Sequence, residues 1–268
     1  HKEGDPGGIA GVVSRDSDGV RRGHIRGRIQ EVDEIPPPAW ELVPIENYLS
    51  NELGYGVNRG RSMPILATRG CPYQCTFCSN PLMWTTQWSA RDPHLVLGEI
   101  EGYMRDYGAV NFDFYDLTAV VKRDWIVTFC RLILDRGHQI TWQLPSGTRS
   151  EALDQEVTGL MYKAGCRNMS YAPESGSPEV LSRIKKRAQL GPLESSVKGA
   201  VRNGVNVKLN IIMGFPDESR QELTQTIRFL ARMGAAGIHD ASVSLFSPYP
   251  GSEIFSDLLQ DGGINALD

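Results

Sequence analysis

With 28 Lys and Arg against 32 Asp and Glu in 268 residues, the chain carries a formal net charge of −4 and offers nucleic acid no electrostatic footprint. No run of about 18 apolar residues is present to span a membrane, and His1-Lys2-Glu3-Gly4 opens the sequence without the apolar core of a secretory leader. Five cysteines, Cys71, Cys75, Cys78, Cys130 and Cys166, form an odd set with three crowded together, a pattern that speaks for metal binding in a reducing, cytoplasmic compartment rather than for disulfides.

Residues 1–62 are punctuated by Asp5-Pro6-Gly7-Gly8, Asp18-Gly19 and Pro36-Pro37-Pro38, with short β-like runs such as 9–14 between them. Turn dipeptides and a triple proline predict an irregular lead-in holding one small hairpin. From Met63 the pattern becomes regular, and residues 63–260 read as the core domain. A strand over 64–68 runs straight into the cysteines. Helix 94–107, strand 110–115, helix 122–136 and strand 139–144 follow, with Gly137 closing the second helix. Helix 154–164 has Asp154 as its cap and Gly165 as its stop; strand 168–172, helix 193–203 and strand 206–213 come next. Ser219 and Glu222 have capping-box spacing at the head of helix 219–233, and 241–246 is the last strand.

Strands alternating with helices of about 10–15 residues imply βαβ units and a parallel sheet wound in one direction. Six such units are too few to close an eight-stranded barrel, so the expected fold is α/β, an open (β/α)6 partial barrel. Chemistry in such folds sits at the C-terminal ends of the strands.

Arg69-Gly70-Cys71-Pro72-Tyr73-Gln74-Cys75-Thr76-Phe77-Cys78 is a C-x3-C-x2-C loop just after the first core strand. A 4Fe–4S cube normally takes four thiolates, one per iron. Three leave one iron open to a chelating ligand, as a catalytic metal keeps a free position. A structural zinc site would want a fourth Cys or His at finger-like spacing, and His94 is sixteen residues beyond Cys78. A non-catalytic iron–sulfur or zinc protein stays open as an alternative.

The loop, with Phe77 in the aromatic slot before the third cysteine, resembles the radical S-adenosylmethionine (SAM) superfamily. The resemblance covers residues 63–255 and extends to Tyr171-Ala172-Pro173-Glu174-Ser175-Gly176-Ser177, Asn210-Ile211-Ile212-Met213-Gly214-Phe215-Pro216 and Ser247-Pro248-Tyr249-Pro250-Gly251-Ser252. These segments look like the subgroup associated with a cobalamin-binding domain, which includes the anaerobic magnesium-protoporphyrin ester cyclases. Gly8-Ile9-Ala10-Gly11 and Asp33-Glu34-Ile35-Pro36 are similar to the linker that follows such a domain. The Asp-x-His-x-x-Gly signature of the cobalamin domain does not occur in these residues. Cobalamin is expected only through a part outside this sequence.

The resemblance implies a 4Fe–4S cluster on Cys71, Cys75 and Cys78, with SAM on the open iron. Glu174 is then expected to accept hydrogen bonds from SAM's ribose hydroxyls or amino group; read alone, it could equally cap a helix starting near Pro178. Asp116 is placed at the mouth near SAM's methionyl group, or caps the following segment. Gln143 and Ser146, ending the third strand, are expected to hydrogen-bond SAM or substrate. Asn210, flanked by apolar residues on a predicted strand, needs a partner if it points inward, and SAM would supply it. Arg149, Arg183 and Lys186 could meet the SAM carboxylate or an anionic substrate, and Trp84, Trp88, Phe246 and Tyr249 could line a cavity.

The implied activity is reductive cleavage of SAM to a 5′-deoxyadenosyl radical that abstracts hydrogen from a small-molecule substrate. Methylation or cyclisation would be the outcome if cobalamin takes part, with a flavodoxin- or ferredoxin-type electron donor. The competing enzyme reading is a methylthiotransferase-type modifier of RNA or protein; the extra cysteine trio and basic tail of such enzymes do not occur in these residues.

Overall fold

The computed structural model describes residues 9–149 and 152–265, so the predicted turn at Asp5-Pro6-Gly7-Gly8 lies outside the described residues. The lead-in forms a hairpin, β1 (Val13–Asp16) and β2 (Gly19–Arg22), paired antiparallel with Asp16 opposite Gly19. Asp18-Gly19 thus does turn the chain, but the first strand starts at Val13 rather than Ile9. Two 3-10 turns (Val32–Glu34 and Trp40–Leu42) and the short helix α1 (Ile45–Ser50) complete the approach to the core.

The predicted strand at 64–68 is broken in two. β3 (Ser62–Ile65) enters the main sheet, whereas β4 (Thr68–Arg69) pairs antiparallel with β5 (Ser89–Ala90) across the cysteine segment and α2 (Asn80–Trp84). Then come α3 (Pro93–Tyr107), β6 (Asn111–Phe114), α4 (Arg123–Asp135), β7 (Thr141–Thr148), α5 (Gln155–Lys163) and β8 (Cys166–Glu174). The chain continues through α6 (Pro178–Arg183), α7 (Leu190–Arg202), β9 (Asn206–Met213), α8 (Arg220–Ala235), β10 (Asp240–Leu245) and α9 (Glu253–Gln260).

The six-stranded sheet has the order β10-β9-β8-β7-β6-β3, and its pairings are parallel. Each strand lies beside its predecessor in sequence, which is the singly wound, open (β/α)6 arrangement expected. Side chains alternate across it. Met63, Phe112, Phe114, Trp142, Met169, Tyr171, Val207 and Leu209 are buried in one core with Ile100, Phe129, Val157, Val197 and Phe229 of the helices. Phe114, Phe129 and Trp142 meet at centroid distances of 5.5 to 5.7 Å, mostly edge to face. Full burial of such a side chain contributes about 1.5–3 kcal/mol, so this wedge fixes the angle between α4 and the strands.

The other face of the sheet is polar. Near the N-terminal ends of the strands a ladder of amides crosses it: Asn206 donates to Asn168 at 3.0 Å, Asn168 to Gln143 at 2.9 Å, and Gln143 to Asp113 at 2.6 Å. The loop before β3 plugs this floor, with Val57 N–H donating to Gln143 at 3.0 Å and Gly56 N–H to Asp113 at 3.4 Å.

Caps read from sequence appear where expected. Asp154 accepts from Val157 N–H, and Ser219 and Glu222 form a full capping box on α8. Cys166, just past the Gly165 stop, begins β8.

Candidate functional site

The cysteine segment is pinned at several points. Gly70 has φ +81°, and a Cβ there would lie 2.1 Å from the Gln87 carbonyl oxygen, so the loop can turn only on glycine. Arg28 of the lead-in donates to the Trp84 and Gln87 carbonyls, both at 2.7 Å, and secures the same corner. Deeper in the loop, Thr76 N–H donates to Ile184 O and Ile254 N–H donates to Thr76 O, both at 3.0 Å. The turn after α6 and the first turn of α9 therefore hold the middle of the loop between them.

Cys71, Cys75 and Cys78 are partly accessible, while Cys130 and Cys166 are buried. Thr118 Oγ1 stands 3.3 Å from Cys71 Sγ, and Asn80 N–H donates to Cys78 Sγ at 3.4 Å. Burial pushes the Cys75 thiol up, opposed by the positive charges of Lys186 and Arg149. Burial also pushes up Cys78, opposed by the Asn80 N–H. Arg149 stacks 3.7 Å over the Tyr73 ring and donates to the Arg187 carbonyl at 2.8 Å. A hydroxyl at Cys71, a backbone N–H at Cys78 and two cations toward Cys75 are thus placed at the sulfurs, and at Cys75 and Cys78 the charges and the N–H offset part of what burial costs a thiolate. Among the described residues, no three His, Cys, Asp or Glu side chains converge as a single metal ion would need. A cube asks instead for one thiolate at each of three separate irons.

β8 ends at Glu174, whose backbone has φ +69° where the pairing with β9 shifts register. A non-glycine residue held in this left-handed region is strained, and such strain gathers at functional sites. The Glu174 carboxylate is buried and accepts from Lys186 Nζ at 2.7 Å. The turn behind it is close-packed. Gly176 N–H donates to Thr226 Oγ1 at 3.0 Å, and Ser175 Oγ lies 3.0 Å from the same hydroxyl. Ser177, not Glu174, caps α6. That leaves the carboxylate to a cleft of about 310 Å3 lined by Phe77, Glu174, Asn210, Ile212, Phe246 and Tyr249. Phe215 backs the aromatic wall, 5.8 Å from Phe77 and 5.1 Å from Phe246.

The structure gathers Phe77, Glu174 and Asn210 in one cleft, and Lys186 ties Glu174 to the cysteine loop. Asp116, Gln143, Ser146, Arg183, Trp84 and Trp88 lie elsewhere. Asp116 does not face the mouth: its carboxylate accepts from Ala67 N–H, Thr68 N–H and the Thr68 hydroxyl, clamping the start of the cysteine segment. Burial pushes it up to about 6 against these donors. Gln143 belongs to the floor ladder, because β7 continues past Pro145, across a register shift, to Thr148. Ser146 is exposed in the upper half of β7 and does not line the cleft. Arg183 is engaged by Glu222 at 2.6 Å. Trp84 and Trp88 lie in the corner secured by Arg28, where Trp88 Nε1 donates to the Thr118 carbonyl at 3.0 Å. Thr118 and Asn80 were not foreseen, and no local pattern in the sequence marks either.

Comparison with known proteins agrees with this architecture. The radical SAM superfamily matches residues 65–230. An uncharacterized methyltransferase of Pyrococcus horikoshii, PH0819, is 30% identical over 248 residues, covering 92% of this chain and 51% of that protein. The anaerobic magnesium-protoporphyrin IX monomethyl ester cyclase of Cereibacter sphaeroides is 25% identical over 252 residues, covering 93% of this chain and 40% of that protein. The chain therefore spans about half the length of these relatives or less. In fold it is similar to the radical SAM methyltransferase TsrM from Kitasatospora setae, solved with cobalamin and a 4Fe–4S cluster, at TM-score 0.75 and 17% identity over 96% of this chain and 51% of that one. It is similar also to the cobalamin-dependent SAM radical enzyme OxsB, at TM-score 0.71 and 18% identity over 98% of this chain and 37% of that one. On its cysteine segment, its singly wound sheet and these matches, the chain belongs to the radical SAM superfamily.

Proposed function

We propose that residues 63–260 form the core of a radical SAM enzyme in which Cys71, Cys75 and Cys78 hold a 4Fe–4S cluster and the adjoining cleft holds SAM. The donor set supports the fit: three thiols on one pinned loop, with a hydroxyl at Cys71, a backbone N–H at Cys78 and two cations toward Cys75. When bound, the cluster and SAM together supply one-electron reductive cleavage and, through it, hydrogen abstraction from an unactivated carbon. The chain's own work is to bind, orient and keep water out.

Lys186 holds Glu174 Oε1, so the second carboxylate oxygen is the one available to a ribose hydroxyl or an amino group. Asn210 offers an amide on the facing strand, and Phe77, Ile212 and Phe246 give the cleft apolar walls. Excluding water strengthens each of these polar contacts.

Methyl transfer or cyclisation of a small molecule, with cobalamin from a part outside this sequence, is the outcome we favour. Its support lies in the relatives, which are by name a methyltransferase and a cyclase. A flavodoxin- or ferredoxin-type protein is the proposed electron donor.

The observation that carries this reading is the placement of the cysteine loop beside the Glu174 cleft, joined to it by Lys186. Replacing Cys75 with alanine should abolish the brown colour, lower bound iron and sulfide, and stop release of 5′-deoxyadenosine from SAM. Wild-type iron content together with undiminished SAM cleavage in that variant would overturn it.

A further inference from the structure

Thr118 lies between β6 and α4, two residues beyond the Asp116 clamp. Its side chain is buried, and its hydroxyl has two acceptors: Cys71 Sγ at 3.3 Å and the Leu117 carbonyl at 2.8 Å. The Thr118 backbone is held in place because its carbonyl accepts from Trp88 Nε1 at 3.0 Å, with the Thr68 hydroxyl, bonded to Asp116, 3.3 Å away. Thr68 and Trp88 flank the cysteine segment on its two sides, and Asp116 holds Thr68 as well. The distance from hydroxyl to sulfur is therefore set by three parts of the chain: Thr68, the loop 116–118 and Trp88. The Asn80 contact to Cys78 comes from backbone and survives any substitution but proline, whereas the Thr118 contact is a side-chain device.

We infer that Thr118 is a positioning residue that donates a hydrogen bond to the ligating sulfur of Cys71 and thereby raises the reduction potential of the bound cluster. The inference rests on the proposed ligation by Cys71. One proton serves two acceptors, and the sulfur, charged once it ligates iron, outcompetes the neutral carbonyl because charge-assisted hydrogen bonds are about twice as strong. An added electron spreads further negative charge over the sulfurs. A donor aimed at one of them then stabilises the reduced form more than the oxidised form. Hydrogen bonds to sulfur are among the levers that set cluster potentials.

The test compares wild type with T118V and T118S, each reconstituted anaerobically with iron and sulfide and titrated with dithionite while the reduced cluster is followed by electron paramagnetic resonance. T118V keeps shape and loses the hydroxyl. At a fixed solution potential its reduced-to-oxidised ratio should fall about tenfold, equivalent to ~59 mV for a one-electron couple. T118S keeps the hydroxyl and should titrate with wild type. If T118V loads poorly, T118A removes the same hydroxyl without a branched carbon and takes its place. A hydroxyl-free variant with full iron and a wild-type potential overturns the inference, as does T118S shifted as far as T118V. Cys71→Ala separates this from the parent reading: wild-type iron in that variant would defeat the ligation itself, whereas an unmoved T118V potential defeats only the role of Thr118.

Discussion

Lys186→Met keeps most of the side-chain stem and deletes the ammonium. In the folded chain that ammonium sits 2.7 Å from Glu174 Oε1, with the two side chains 8% and 10% exposed. Its removal leaves a buried carboxylate without a counter-charge, and breaking a buried pair in this way costs about 3–5 kcal/mol. That is roughly a hundredfold or more in the folded-to-unfolded ratio. The neighbouring residue supplies the control. Lys185 also pairs at 2.7 Å, with Glu253, but those side chains are 53% and 48% exposed, and pairs of that kind are worth about 0–1 kcal/mol. Urea unfolding of the two variants, followed by circular dichroism, should therefore separate them by at least about 2 kcal/mol despite identical pair distances. Adding Glu174→Gln to Lys186→Met should recover much of the loss, because the double variant no longer buries a lone charge. Equal, small effects at positions 185 and 186 would show that water screens the Glu174 pair, and the proposed link between cleft and cysteine loop would fall with it.

Two further outcomes are expected. Burial raises Asp116 to about 6 in the folded chain, above the ordinary value of about 3.9, so its contribution to stability is full below pH ~4 and is lost as pH rises through ~6; the wild-type urea midpoint should drop across that window relative to Asp116→Asn, and parallel profiles would refute the assignment. Gly176→Ala would put a Cβ 2.4 Å from Phe229 Cβ and 2.8 Å from Thr226 Cα, forcing α8 away from the Glu174 turn at a cost of about 1–3 kcal/mol; an unchanged thermal midpoint would mean the turn has slack that the packing does not show.

How much was legible before the fold was known depended on how local each signal was. The alternation of strands and helices, the Asp154 and Ser219 caps and the cysteine spacing are carried by neighbours in sequence, and the structure repeats them. Strand ends were harder. Residues 139–144 read as the third strand, with Gln143 and Ser146 at its ligand-facing end; β7 instead runs past Pro145, across a register shift, to Thr148 and leaves Gln143 on the floor. Asp116 was misplaced for a different reason: its donors, Ala67 and Thr68, lie 48 to 49 residues earlier, and nothing near Asp116 hints at them. The six residues of α6 are too few to show a helical period, although Ser177-Pro178 is an ordinary helix start. Thr118 had no signal at all, since its relation to Cys71 exists only across 47 residues of folded chain.

Three carboxylates near the polar side of the sheet show what distinguishes a ligand-facing acid from a structural one. Asp113, on the floor, accepts from Gln143 at 2.6 Å, Asn111 at 2.8 Å and Gly56 N–H at 3.4 Å. Asp116 accepts from two backbone amides and a hydroxyl of the strand end it clamps. A carboxylate offers about four lone-pair sites, so both are nearly filled by their own chain, and burial raises both because these partners bring no positive charge. Glu174 differs in its partner and its placement. Its partner is a cation, that cation occupies one oxygen, and the residue lines the cleft beside the cysteines. Acceptor capacity left open toward a cavity, with the counter-charge already in place, is what a bound hydroxyl or amino group requires. A position at the end of a strand does not by itself provide it: Asp116, just past the end of β6, lacks that capacity, and Glu174 at the end of β8 has it.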